Sequence, residues 1–175
     1  RVDIITGTLG KALGGAMGGF TTGRKEIIEM LRQRSRPYLF SNSLAPNLVG
    51  AALEVFKIIG ASTELRDRLE VNTRYFKKGL KKVGLPFNDG ESAIVPVMLG
   101  DAKLSQVMAN KLLDEGIYVI GFFYPVVPKG IILLRLIPTA IHTIEDVEYT
   151  IESFKAIKDK LAAGKYISEK LANIK

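Results

Sequence analysis

The sequence contains no cysteine. That absence excludes a disulfide framework and a thiolate-ligated metal, and it fits a reducing compartment, so a cytoplasmic location is expected. Histidine is nearly as scarce, with His142 the only one. It has no second ligand at metal spacing and no serine–carboxylate set around it, so metal-assisted and triad hydrolysis both lack their parts. His142 stands just before Thr143 and is read as structural. No apolar run reaches the roughly 18 residues a bilayer-crossing helix requires, and the opening residues are not organised as a signal peptide. Two nucleotide motifs are missing as well. A P-loop requires lysine followed by serine or threonine, whereas Lys11 is followed by Ala12, and Gly7-Thr8-Leu9-Gly10 lacks the G-x-G-x-x-G spacing.

What is present is a chain of 175 residues, 47% hydrophobic, long enough to bury a sizeable core. The formal net charge is +7. Its lysines are scattered through amphipathic segments rather than gathered into a stripe with aromatics, so a solvated surface is preferred over a nucleic-acid site.

Along the chain, Val2 to Ile5 is a short apolar strand. Thr21 or Thr22 is expected to cap a helix running to about Gln33, with Ile27, Ile28 and Leu31 inward. Pro37 should end it and begin an irregular stretch, Tyr38-Leu-Phe-Ser-Asn-Ser. Pro46 opens a helix with Val49, Ala52, Leu53 and Phe56 on one face, which Gly60 should interrupt. A further helix carries Leu65, Leu69, Phe76, Leu80 and Val83 at helical period. The turn residues from Gly84 to Gly90 lead into a smaller unit. There, strand Ile94–Leu99, helix Asp101–Glu115, strand Ile117–Phe122, strand Ile131–Leu136 and a final helix follow one another. Thr143, with Asp146 three residues on, caps that last helix, and Val147, Ile151, Phe154 and Leu161 form its buried stripe. The order predicts an α/β sandwich of modest size.

The chemistry concentrates at the opening. Six glycines lie between Gly7 and Gly19 and surround a single amine, Lys11. Glycines suit a place where a ligand touches the main chain, and a Gly/Thr turn can cradle an anion with its N–H groups. From local spacing, three readings of Lys11 stay open: a phosphate-binding cation, a solvated surface charge, or a covalent nucleophile. A second unusual residue is Arg135, alone in the apolar run Ile131-Ile-Leu-Leu-Arg-Leu-Ile. Burying it is costly without an anion, and its fork matches a carboxylate; a core ion pair with Asp or Glu is the alternative.

The segment TGTLGKALGG (Thr6 to Gly15) resembles the cofactor-lysine segment of the α-oxoamine synthases, a pyridoxal-phosphate (PLP) family. RQRSRPYLFSNSLAP (Arg32 to Pro46), AIVPVMLGD (Ala93 to Asp101) and EGIYVIGFFYPVVPKG (Glu115 to Gly130) extend the likeness over nearly the whole chain, in the family's order. The resemblance implies an α/β fold of the aspartate-aminotransferase type (fold type I). It also implies that these residues are the C-terminal part of a longer chain. Residues 1–59 would complete the large cofactor-binding domain, and residues 60–175 would supply a linking helix and the small C-terminal domain.

The resemblance also implies an acyltransferase joining an amino acid to an acyl-CoA, with PLP bound covalently to Lys11. Thr8, Leu9 and Gly10 would contact the cofactor, Thr8 through its hydroxyl to the phosphate, with Thr6 a weaker companion. Ser41 and Asn42 would reach the cofactor phosphate of a neighbouring subunit, which implies a homodimer with shared sites; an ordinary Ser/Asn turn is the plainer reading. Arg135 would hold the substrate carboxylate. The segments around Ser41 and Tyr124 point to glycine and acetyl-CoA as substrates. The surroundings of Arg135 look equally like relatives that use alanine or longer acyl groups. Tyr124 would line the acyl channel or pack as an apolar loop, and Lys129 would meet a CoA phosphate or remain solvated. The basic surface would attract the CoA polyphosphate. Residues that grip the pyridine ring belong, by the same resemblance, to an upstream part, so these 175 residues alone are not expected to turn over substrate. A non-catalytic dimerisation module and a nucleic-acid binder are the alternatives from other classes.

Overall fold

The computed structural model describes residues 2–14 and 16–164, and the chain divides into two compact units, Arg1–Thr63 and Glu64–Lys175. The first opens with an antiparallel hairpin, β1 (Ile4–Thr8) and β2 (Gly19–Gly23), in which Thr6 faces Thr21 and Thr8 faces Gly19. Three helices follow: α1 (Lys25–Arg34), α2 (Arg36–Phe40) and α3 (Pro46–Ala61). Among the described residues, Leu9 and Ala52 are the buried apolar side chains of this unit. Ile5, Phe40, Leu53 and Ile58 all remain more than half exposed. The expected inner face of α3 is therefore buried only at Ala52.

The local expectations here are corrected at four points. The opening strand runs from Ile4 to Thr8, not Val2 to Ile5, because residues 4–8 pair with β2. Thr21 and Thr22 lie in β2 and cap nothing; α1 starts after Arg24, whose side chain makes no capping bond. Both threonines are β-branched, and pairing with Ile5 and Thr6 draws them into the hairpin. Pro37 does not end the helical region but sits in the first turn of α2, where its missing N–H costs nothing. Gly60 lies inside the last turn of α3, and the helical break falls after Ala61, at Ser62 and Thr63.

The second unit is a three-stranded antiparallel sheet with helices packed on it. Its elements are α4 (Glu64–Lys82), β3 (Val95–Met98), α5 (Ala102–Asp114), β4 (Ile120–Phe122), β5 (Leu133–Leu136) and α6 (Ile144–Ala162). The strand order β3-β5-β4 puts β5 in the centre, with Arg135 opposite Pro96 on one side and Ile120 on the other. The expected strand–helix–strand–strand–helix order is present, with each strand one to three residues shorter at its start. Phe76 and Leu80 from α4, Val95, Val97, Leu134 and Leu136 from the sheet, Met108 and Leu112 from α5, and Val147, Ile151, Phe154 and Ile157 from α6 form one core.

The ends of these helices are set by short-range bonds. Asp101 caps α5 by accepting from the Leu104 N–H at 2.7 Å. Thr143 and Asp146 form a reciprocal capping box on α6. Gly79 lets α4 approach α6, since a Cβ there would lie 2.1 Å from Ile151 Cδ1. No described helix is long and apolar enough to cross a membrane.

Candidate active site

The loop between β1 and β2 is held by Leu9, the one buried side chain among its described residues. Leu9 is 4% exposed, and its N–H donates to the Gly18 carbonyl at 2.9 Å, tying the two ends of the loop together. Thr8 Oγ1 accepts from the Gly10 N–H at 3.3 Å and lies 3.4 Å from the same Gly18 carbonyl. Past Lys11 the chain turns at once, with the Gly14 N–H donating to the Lys11 carbonyl at 2.9 Å and Gly14 at φ +66°. The glycines have separate duties. A Cβ at Gly7 would lie 2.5 Å from the Phe20 ring, and one at Gly10 would lie 3.1 Å from the Ala16 carbonyl oxygen. Lys11 is exposed on this pinned turn, with no acidic partner among the described residues.

Ser41 and Asn42 lie in the same unit but on other ground. They line a recess of about 770 Å³ together with Gly7, Phe20, Arg32 and Leu44; neither Lys11 nor Thr8 borders it. The structure thus groups Thr8, Leu9, Gly10 and Lys11 in one turn, and Ser41 with Asn42 in another recess. Arg32 was not singled out in the sequence, where it is one of several arginines in an amphipathic helix.

Arg135 occupies the middle strand of the second unit. The apolar run around it predicts a buried arginine, but the two-residue period of β5 sends Leu134 and Leu136 into the core and leaves Arg135 exposed. Its guanidinium carbon stands 4.4 Å from the centroid of the Phe122 ring. No carboxylate forms an ion pair with it among the described residues, so the core-pair alternative has no support. An exposed fork resting on an aromatic face is preoriented for a planar anion.

Arg135 also borders a cleft of about 720 Å³, whose walls include Tyr118, Thr139, His142, Asp146 and Tyr149. His142 Nδ1 accepts from the Thr139 N–H at 3.2 Å. The Asp146 carboxyl is held below its ordinary value, chiefly by the backbone N–H of Thr143, then by the Thr143 hydroxyl and, more weakly, by nearby His142. Asn72 escaped the sequence reading. It lies 6% exposed on α4, and its amide donates to the Thr139 carbonyl at 3.0 Å and the His142 carbonyl at 2.8 Å. The available signal was an amide at i+3 from Leu69 and i−4 from Phe76, inside an apolar stripe.

Lys129 stands 5.1 Å from the centroid of the Tyr124 ring, on an exposed loop. No group of three metal-ligating side chains occurs among the described residues.

These features coincide with a known family. The model for aminotransferase class I and II matches residues 1–154. The chain is 55% identical over 161 residues to 2-amino-3-ketobutyrate coenzyme A ligase of Escherichia coli K12, covering 92% of this chain and 40% of that protein. It is 45% identical over 161 residues to 8-amino-7-oxononanoate synthase of Thermosipho melanesiensis, covering 92% of this chain and 41% of that one. Among solved structures it is similar to serine palmitoyltransferase from S. paucimobilis with a bound PLP–myriocin aldimine. There the TM-score is 0.83 at 34% identity, over 93% of this chain and 41% of the other. The chain spans about 40% of the length of the curated relatives it matches. The fold is that of the fold type I PLP-dependent transferases. The chain belongs to the aminotransferase class I and II family and, within it, to the α-oxoamine synthases.

Proposed function

We propose that this chain forms part of a PLP-dependent acyltransferase that condenses glycine with acetyl-CoA to give 2-amino-3-ketobutyrate and CoA. The observation that carries the reading is the 55% identity over 161 residues to a 2-amino-3-ketobutyrate coenzyme A ligase. The geometry supports it. The Gly10 N–H and the Thr8 hydroxyl lie side by side at 3.3 Å, and Gly10 brings no side chain into the space before the Ala16 carbonyl. Lys11 presents its amine on the same turn. These residues fit the cofactor.

When bound, PLP supplies an electron sink for charge developing at the amino acid Cα. Lys11 Nζ is the covalent attachment point and the group that takes and returns the proton at Cα. Thr8 serves the phosphate with its hydroxyl, and Leu9 and Gly10 contact the cofactor from the same turn. Arg135 pairs bidentately with the glycine carboxylate and so fixes which Cα bond stands ready to break. Ser41 and Asn42 reach the cofactor phosphate of a second copy, which makes the active unit a homodimer. A cytoplasmic enzyme of threonine and glycine metabolism follows from the same reading.

Borohydride reduction of the PLP-loaded protein, followed by peptide mapping, tests the attachment. The adduct should map to Lys11 and vanish in Lys11→Ala; an adduct elsewhere would sink the assignment. Arg135→Ala should raise the KM for glycine about 100-fold or more, given two charge-assisted bonds of roughly 1.5–3 kcal/mol each. A second reading, 8-amino-7-oxononanoate synthesis from alanine and a pimeloyl thioester, is favoured by the 45% identity to the Thermosipho protein. Parallel turnover assays with acetyl-, succinyl- and pimeloyl-CoA separate the two.

A further inference from the structure

The sheet ladder around Arg135 ends one residue later, at the Leu136–Val95 pair. From Ile137 to Thr143 the chain has left the sheet and has not yet entered α6, and it is held there by side chains. Asn72 reaches across from α4 and gives one amide hydrogen to the Thr139 carbonyl and the other to the His142 carbonyl, at 3.0 and 2.8 Å. His142 closes the loop on itself by accepting the Thr139 N–H on Nδ1 at 3.2 Å. Three backbone groups of one short turn are thus satisfied by two side chains. One of those side chains is buried in the apolar stripe of a distant helix.

The Asn72 amide is buried and links two carbonyls of the turn; without it the His142 carbonyl loses its side-chain donor, and the Thr139 carbonyl keeps only the His142 N–H at 3.4 Å. Thr139 and His142 both line the cleft that Arg135 borders. The clamp therefore fixes the cleft wall continuous with the strand that carries the guanidinium.

We propose that Asn72 and His142 are positioning residues for Arg135, clamping the β5–α6 turn so that the guanidinium meets the amino-acid carboxylate in one fixed orientation. The inference rests on the reading of Arg135 as the carboxylate-binding residue. It assigns roles to two side chains that act through the backbone of the turn, and it predicts an effect confined to the amino acid. A displacement of about 1 Å at a binding group can cost on the order of 100-fold, so a loosened clamp should cost 10-fold or more.

The test uses the whole PLP-loaded protein. Asn72→Leu, which keeps the volume and removes both donors, should raise the KM for glycine about 10-fold or more. The KM for acetyl-CoA and borohydride trapping at Lys11 should stay unchanged. Amide hydrogen exchange read by mass spectrometry should quicken over residues 137–143 and not over α5.

His142 tests the clamp from its other end and covers the case in which Asn72→Leu fails to fold. Asparagine places Oδ1 where the imidazole carries Nδ1, so His142→Asn should keep the wild-type KM, whereas His142→Leu should raise it. Equal effects of the two His142 variants, or an Asn72→Leu protein with unchanged exchange or with both KM values raised alike, would overturn the proposal. Arg135→Ala in parallel separates the failures. If it leaves the glycine KM unchanged, the carboxylate reading falls; if it raises that KM while Asn72→Leu does not, the positioning role falls.

Discussion

Lys11 is one of 25 basic side chains, and what sets it apart is the backbone beneath it. Leu9, two residues before it, is buried, Gly10 beside it carries no side chain, and the chain reverses within three residues. The glycines around it fail in two different ways when substituted. Gly7→Ala puts a Cβ 2.5 Å from the Phe20 ring, and that ring already packs edge-on against Phe56 with centroids 5.6 Å apart. Overpacking of this kind costs about 1–3 kcal/mol, so the midpoint of thermal unfolding should fall. Gly14→Ala meets nothing within 4 Å, but φ at that residue is +66°. Its cost is backbone strain of roughly 1–2 kcal/mol, and Gly14→Asn should recover part of it where Gly7→Asn does not. Equal behaviour of the two asparagine variants would contradict this division.

Among the elements, α6 shows most clearly how local chemistry sets a boundary. Its capping box joins Thr143 and Asp146 reciprocally, with the Thr143 N–H donating to the carboxylate at 2.8 Å. That bond is the main reason the Asp146 carboxyl titrates below its ordinary value of 3.8. Because the folded value is the lower one, Asp146 contributes stability above its unfolded pKa and loses it as pH falls through the folded value. Asp146→Asn should therefore be less stable than the parent at pH 7, and the gap should close on acidification below the ordinary carboxylate range. A gap constant between pH 7 and pH 3 would count against the capping carboxylate. Thr143→Ala, which removes the other half of the box, should cost about 1 kcal/mol in denaturant melts.

A second element-scale prediction concerns the α4–α6 contact. Alanine is the better helix former by up to about 1 kcal/mol, yet at position 79 its Cβ would lie 2.1 Å from Ile151 Cδ1 and 2.9 Å from Cγ1. With the packing cost at about 1–3 kcal/mol, Gly79→Ala should destabilise despite its propensity.

At the scale of the whole molecule, the two units differ in how much they enclose. The second holds a continuous core from Phe76 to Ile157, fed by three helices and by strands β3 and β5. Among the described residues, the first buries only Leu9 and Ala52 of its apolar side chains. Hydrophobic burial is the main favourable term in folding, so the two should behave differently when separated. A polypeptide of residues 64–164 should melt cooperatively, and one of residues 1–63 should not. A sharp transition in the shorter piece would show that its hairpin and helices suffice by themselves.

The sequence alone determined what depends on neighbours within a few positions. Helical period placed α5 to within a residue at each end, and the Thr143 cap placed the start of α6, because Thr143 acts three residues away. The glycine turn around Lys11 was legible for the same reason. Tertiary structure decided what depends on partners far along the chain. Thr21 and Thr22 suit a cap or a strand equally, and only pairing with Ile5 and Thr6 chose the strand. Arg135 was conspicuous as a charge among apolar residues, but its outward face followed from the register and the core beneath the sheet. Asn72 carried no signal beyond its misfit in an apolar stripe, because the carbonyls it holds lie 67 and 70 residues away. Local bonds are encoded by local spacing; a face, a register or a clamp exists only once distant segments share the same space.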